Sequence, residues 1–168
     1  HPLAGDASFR RYDRVTLGTR RAVLMDALPG EEDIRPFLAI ARHLRSLGYS
    51  APEIFAEATQ DGFILLEDFG DTTFTHLLQS GMDEEPMYDG AVDFLIDLHS
   101  RAPKVTVPAG LPMYDTDRFL DEAFLLTDWY MPQVSKCSDA ARRDYEKLWR
   151  KILPGVSSTR ETLVLRDF

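Results

Sequence analysis

Some stretches of the 168-residue chain set residue types able to do chemistry in a local pattern that presents them. Leu163-Val164-Leu165-Arg166-Asp167-Phe168 is a short apolar run that delivers one carboxylate, Asp167, to a loop. A carboxylate presented that way can orient a hydroxyl and take its proton. Leu3-Ala4-Gly5-Asp6-Ala7-Ser8-Phe9-Arg10-Arg11-Tyr12 places small residues ahead of a strand, where backbone amides and the Ser8 hydroxyl can face phosphate oxygens. Gly62-Phe63-Ile64-Leu65-Leu66-Glu67-Asp68-Phe69-Gly70-Asp71 is a buried strand running into an acidic connector. Singly, each has an ordinary structural explanation as a strand end, a loop or a solvated turn.

Other chemistries find little support. His1, His43, His76 and His99 are scattered with no His-x-x-x-His spacing, which argues against zinc. No Gly-x-Ser-x-Gly elbow exists, and Cys137, in a polar stretch with no histidine nearby, reads as a surface or half-buried thiol. One cysteine cannot make an internal disulfide, which points to a cytoplasmic protein. The longest apolar run, Phe63-Ile64-Leu65-Leu66, is too short to cross a bilayer, and no basic-then-apolar leader opens the chain, so no membrane partner is expected. Twenty-eight acids against nineteen bases give a net charge of −9, which disfavours charge-driven nucleic-acid binding. A phosphate compound must therefore be held by local groups against the mean field.

The elements that would position these residues follow from periodicity. Apolar content of 44%, with 11% aromatics, supplies a core. Ala7 to Val15 and Ala22-Val23-Leu24-Met25 read as two strands around a turn at Gly18. Ile34, Phe37, Leu38, Ala41, Leu44 and Leu47 form a helical stripe, with Glu31, Glu32 and Asp33 at its positive end, Pro36 in the first turn and Gly48 at the stop. Glu53 to Ala58 and Phe63 to Glu67 read as a hairpin whose Asp61-Gly62 supplies positive φ angles. The texture then turns helical. Asp83 caps a helix burying Met87, Ala91, Phe94, Leu95 and Leu98. Pro103 and Pro108 mark a loop. A second helix over Thr116 to Tyr130 buries Phe119, Leu120, Ala123, Phe124 and Thr127 and stops at Pro132. Ser138 caps a third, with Tyr145, Leu148, Trp149 and Ile152 apolar, ended by Pro154-Gly155. Thr162-Leu163-Val164-Leu165 reads as a strand. The expected fold class is α+β: a small antiparallel sheet with a helix over residues 1–68, then an incomplete helical lobe over 69–168.

In this order and at these separations, the three chemistry-bearing segments resemble the aminoglycoside phosphotransferase family, kinases with a protein-kinase-like two-lobe fold. The opening segment, with Ala22-Val23-Leu24-Met25-Asp26-Ala27, is most similar to the bacterial branch that phosphorylates the cell-wall amino sugars N-acetylmuramate and N-acetylglucosamine at the anomeric hydroxyl. Ile96-Asp97-Leu98-His99 matches the family's Leu-x-x-Leu-His helix end and is read as structural. The resemblance implies ATP and Mg²⁺ as cofactors and a sugar or amino-sugar acceptor. It implies that Gly5, Asp6, Ala7, Ser8 and Phe9 cover the nucleotide phosphates. Glu67, Asp68 and Phe69 become the hinge whose backbone reads the adenine edge, in a register open by one residue. Asp167 becomes the catalytic aspartate of a loop the family writes H-G-D-x-x-x-x-N.

The departures are specific. Met25 stands where kinases carry a strand lysine, leaving Arg10 and Arg11 as the nearest cations, and Leu165-Arg166 stands for His-Gly. The catalytic-loop Asn and the metal-binding Asp would lie past Phe168, so the expectation is a truncated kinase with no metal ligands of its own and little turnover. Asp115, Asp117, Asp121 and Asp128 are acceptor-contact candidates that also read as helix-face or cap residues. On charge alone, a neutral or cationic amino sugar suits the chain better than a carboxylated one. The alternative to an enzyme is a non-catalytic nucleotide- or protein-binding module of the same fold; a helical scaffold without a ligand is the third reading.

Overall fold

The computed structural model describes residues 1–3, 9–156 and 160–166 of the chain. Four strands, β1 (Arg11–Leu17), β2 (Arg20–Asp26), β3 (Ile54–Ala58) and β4 (Phe63–Leu66), form one antiparallel sheet in the order β1-β2-β4-β3. Gly18, at a φ of 61°, makes the tight turn between β1 and β2. The first residues also join this sheet edge: Pro2 bridges Asp13, and the Leu3 amide donates to the Tyr12 carbonyl at 2.8 Å.

The β3–β4 loop keeps its expected place and changes its chemistry. Only Gly62 has a positive φ, 77°; Asp61 instead donates its amide to the Ala58 carbonyl, closing an ordinary turn before the glycine. Gly62 is required for a second reason. Its carbonyl accepts from the Ala27 amide, and a Cβ at this position would lie 1.8 Å from the Ala27 carbonyl oxygen.

Helix α1 (Arg35–Ser46) lies against the sheet, and Ile34 and Leu38 meet Val23, Met25, Ala27, Ile64 and Leu66 in the buried core. Burying each large member of that cluster contributes about 1.5–3 kcal/mol. The three acids lie just before the helix, at its positive end. Asp33 accepts the Arg35 amide at 3.0 Å, and Glu32 pairs with Arg10. At the other end, Gly48 at a φ of 90° lets the Tyr49 amide reach back to the Leu44 carbonyl.

The chain divides into two compact units, His1–Pro108 and Ala109–Phe168. The first therefore includes α2 (Phe74–Gln79), α3 (Glu84–Ser100) and α4 (Pro103–Thr106). Three polar ties join these helices to α1 and its C-terminal turn: Tyr49 to Asp97 at 2.6 Å, Arg101 to the Leu47 carbonyl, and His43 to the Thr106 carbonyl. Asp83 caps α3, and the expected face is the one withdrawn from solvent, with Leu98 fully buried.

The second unit is helical. Helix α5 (Thr116–Leu125) continues as a π-helix over Leu126–Tyr130 and then as α6 (Met131–Val134). Pro132 thus does not stop the helix as expected. A proline lacks the N–H for the carbonyl four residues back and crowds it, and the wider π turn just before Pro132 absorbs the misfit. Helix α7 (Asp139–Val156) runs through Pro154 rather than ending there. Its inner face is Tyr145, Trp149 and Leu153, spaced by four, whereas Leu148 and Ile152 are exposed, which corrects the stripe read from sequence.

The strand expected over residues 162–165 is absent. Every regular element described in this unit is a helix, so the segment has no ladder partner among the described residues, and burial of Leu163, 1% exposed, anchors it instead. Among the described residues no helix is long and apolar enough to cross a membrane.

Candidate functional site

The connector after β4 is tied to β1 by one side chain. Arg14, on β1, gives Nε and Nη2 to the two oxygens of Asp68 at 2.7 and 3.0 Å, and Nη1 and Nη2 to those of Asp71 at 2.9 and 3.0 Å. Asp68, only 5% exposed in its side chain, also accepts the Gly70 amide at 2.9 Å. The planar five-donor fork of arginine allows this double engagement, which a lysine could not reproduce. Hydrogen bonding to Arg14 holds both carboxyls below their ordinary value and raises the guanidinium in turn.

Glu67 is engaged on its other side. Its amide donates to the Glu53 carbonyl at 2.9 Å, and its carboxylate accepts from the Glu53 amide and from Arg45. Phe69, between these anchored neighbours, is exposed.

At the start of β1, Phe9 is exposed and Arg10 donates to Glu32 at 3.3 Å. Met25 is fully buried, paired across the sheet with Tyr12 on β1 and Ile64 on β4. Its side chain belongs to the core, and a cation at that position would have to be buried there. Gly5, Asp6, Ala7 and Ser8 of the expected phosphate loop lie outside the described residues, as does Asp167.

The residue just before Asp167 is described and unusual. Arg166 has a φ of 62°, the one positive value at a non-glycine among the described residues. This is the position at which the resemblance puts glycine, and an L side chain there costs about 1 kcal/mol or more. The Arg166 guanidinium donates to Glu122 on α5 at 2.8 Å, and the Tyr114 hydroxyl donates to the other oxygen of the same carboxylate. The hydrogen bond to Glu122 leads the effects that raise the Tyr114 phenol.

The four acids singled out near α5 separate by role. Asp115 caps α5 by accepting the Arg118 amide, and Asp117 pairs with Arg150 at the surface. Asp128, on the π-helix, takes a two-pronged bond from Arg142 on α7, both at 2.7 Å, and the Thr127 hydroxyl at 2.8 Å. These partners, Arg142 first, lower the Asp128 carboxyl to about 2. The Arg142 guanidinium also lies 3.9 Å from the centre of the Phe124 ring. Asp121, Phe124, Leu125, Asp128, Trp129 and Arg142 line a recess of about 230 Å³.

Neither the Arg14 clamp nor the Arg166–Glu122–Tyr114 group was readable from sequence. Arg14 lies 54 and 57 residues from its partners and Arg166 lies 44 from Glu122, and local pattern carries no such information. Among the described residues no cluster of three or more His, Cys, Asp or Glu could hold a metal ion.

Residues 1–168 match the model of the phosphotransferase enzyme family. The N-acetylmuramate/N-acetylglucosamine kinase of Pseudomonas aeruginosa is 41% identical over 77% of this chain and 37% of its own length. The proteins of the same name from Pseudomonas putida and Caulobacter vibrioides are 29% and 30% identical, over 98% and 89% of this chain and 48% and 50% of theirs. The chain thus spans about half or less of the length of these curated relatives. A family match running from the first residue to the last places this α+β chain in the phosphotransferase enzyme family.

Proposed function

We propose that the protein is an ATP-dependent phosphotransferase acting on a hydroxyl of a sugar or amino sugar, of the cell-wall type named for its relatives. In this reading residues 1–68 hold the nucleotide and residues 69–168 face the acceptor. The observation that carries it is the left-handed backbone at Arg166, tied to Glu122, in the position before Asp167 where the family pattern has glycine.

Asp167 orients the acceptor hydroxyl and accepts its proton as the oxygen bonds to the terminal phosphorus of ATP and the bond to ADP breaks. Gly5, Asp6, Ala7, Ser8 and Phe9 cover the phosphates, and Arg10, which donates to Glu32, follows them in the chain. The Glu67 amide is already committed to Glu53, so adenine-edge contacts fall to the backbone of Asp68 and Phe69, which Arg14 braces. The described residues do not assemble a Mg²⁺ site, and no step is assigned to the metal.

The test is phosphate transfer from labelled ATP to N-acetylglucosamine or N-acetylmuramate by the full-length protein and its Asp167→Asn variant. The substitution is expected to lower transfer by about 10²-fold or more while nucleotide affinity holds. Equal activity in the variant removes Asp167 from this role. The core location of Met25 favours one second reading, a nucleotide-binding module without turnover. It predicts ATP binding with no sugar phosphate formed under any condition.

A further inference from the structure

The recess between α5, the π-helix and α7 is not accounted for by fold stability. Trp129 lines it with its side chain 74% exposed, although a large aromatic residue gains most from burial. Its neighbours are held in place. Arg142 is gripped by Asp128 on one side and laid against Phe124 on the other, and Thr127, itself buried, fixes Asp128 from behind. The π-helix, a distortion that recurs at functional sites, carries both Asp128 and Trp129. The result is an open indole beside a fixed carboxylate–guanidinium pair, with Asp121, about two turns earlier, lining the same recess.

That lining is matched by a pyranose. A sugar ring has an apolar C–H face that stacks on an aromatic ring and a rim of hydroxyls that donate to carboxylates. At about 230 Å³ the recess is smaller than the roughly 300–1,000 Å³ of drug-sized sites and suits a single ring rather than a nucleotide. Its charged lining is two carboxylates against one guanidinium, so an uncharged sugar meets little opposition. On α5, Asp121 of the lining is followed in sequence by Glu122, which accepts from Arg166.

We propose that this recess is the acceptor subsite, in which Trp129 stacks against the ring of a neutral N-acetylated amino sugar and Asp121 and Asp128 receive its hydroxyls. The inference rests on the phosphotransferase reading for its occupant and is tested apart from it by direct binding. In the full-length protein, ligand-detected saturation-transfer NMR with N-acetylglucosamine shows contact in the wild type. Trp129→Ala loses it and raises the acceptor KM at least about tenfold, with kcat and the nucleotide KM held within about twofold. Trp129→Tyr, which keeps an aromatic face, retains most of the binding, an outcome a merely structural role would not produce. Asp121→Asn supplies an independent second variant and is expected to weaken binding in the same sense.

Unchanged sugar binding in both Trp129→Ala and Asp121→Asn overturns the subsite and leaves phosphate transfer standing. Protection of Trp129 from acrylamide quenching in the sugar-free full-length protein also overturns it, because polypeptide then covers the indole. Sugar binding that depends on Trp129 with no phosphate transferred sustains the subsite and sinks the enzymatic reading.

Discussion

At the residue scale, single side chains set what the sheet unit can tolerate. Met25 belongs to the sheet–helix core, so a lysine placed there would be buried rather than free to reach a phosphate. Met25→Lys is expected to destabilise the fold by about 3–5 kcal/mol, because it buries an unpaired ammonium, with no gain in activity. Urea unfolding measures the loss, and a variant as stable as the parent would contradict the burial. Arg14 acts the other way, as a charge the connector requires. Its two carboxylate partners have lowered pKa values, so their contribution is fully present above the ordinary carboxylate value of 3.8 and is lost as pH falls through the lower folded values. Arg14→Ala should therefore lower the melting midpoint at neutral pH, and the gap between variant and parent should close below pH 3.8. A gap independent of pH would show that the clamp acts through packing alone.

At the scale of elements, the two units hold their segments by different means. Hydrogen-bonded registers set the sheet, and the Gly62 backbone fits against Ala27. In the helical unit residues 160–166 form no ladder among the described residues, and Leu163 is their one buried side chain. Leu163→Ala is expected to cost about 2–5 kcal/mol and, by loosening Arg166, to depress any transfer that relies on Asp167. Val164→Ala, at a side chain 48% exposed, should be near neutral in thermal unfolding. Equal effects of the two would mean that residues 162–165 are held as a strand after all. The faces of α3 and most of α5 were legible because apolar spacing reports burial directly. The π-helix was not, because its cause is a proline six residues beyond its start and its signature lies in backbone hydrogen bonds.

At the scale of the whole molecule, charge sets the terms of binding. A chain of net charge −9 does not attract a nucleotide from a distance, so under the proposed function affinity rests on local groups. ATP at about 100 times its dissociation constant is expected to add about 2.7 kcal/mol of stability, read as a rise in melting temperature. No shift with ATP and Mg²⁺ would count against both the kinase and the nucleotide-binding module.

The sequence by itself determined the α+β order of elements, the core stripes of α1 and α3, the helix caps at Asp83, Asp115 and Ser138, and the motifs that place the chain among the phosphotransferases. These are properties of neighbours a few residues apart, where side-chain period and backbone preference act directly. Only the tertiary structure decided that Arg14 clamps Asp68 and Asp71, that Arg166 leans on Glu122, and that Trp129 is left open beside Asp128 and Arg142. Each of these depends on segments distant in the chain meeting in space, and where a side chain goes once they meet is settled by packing and charge, not by its place in the chain.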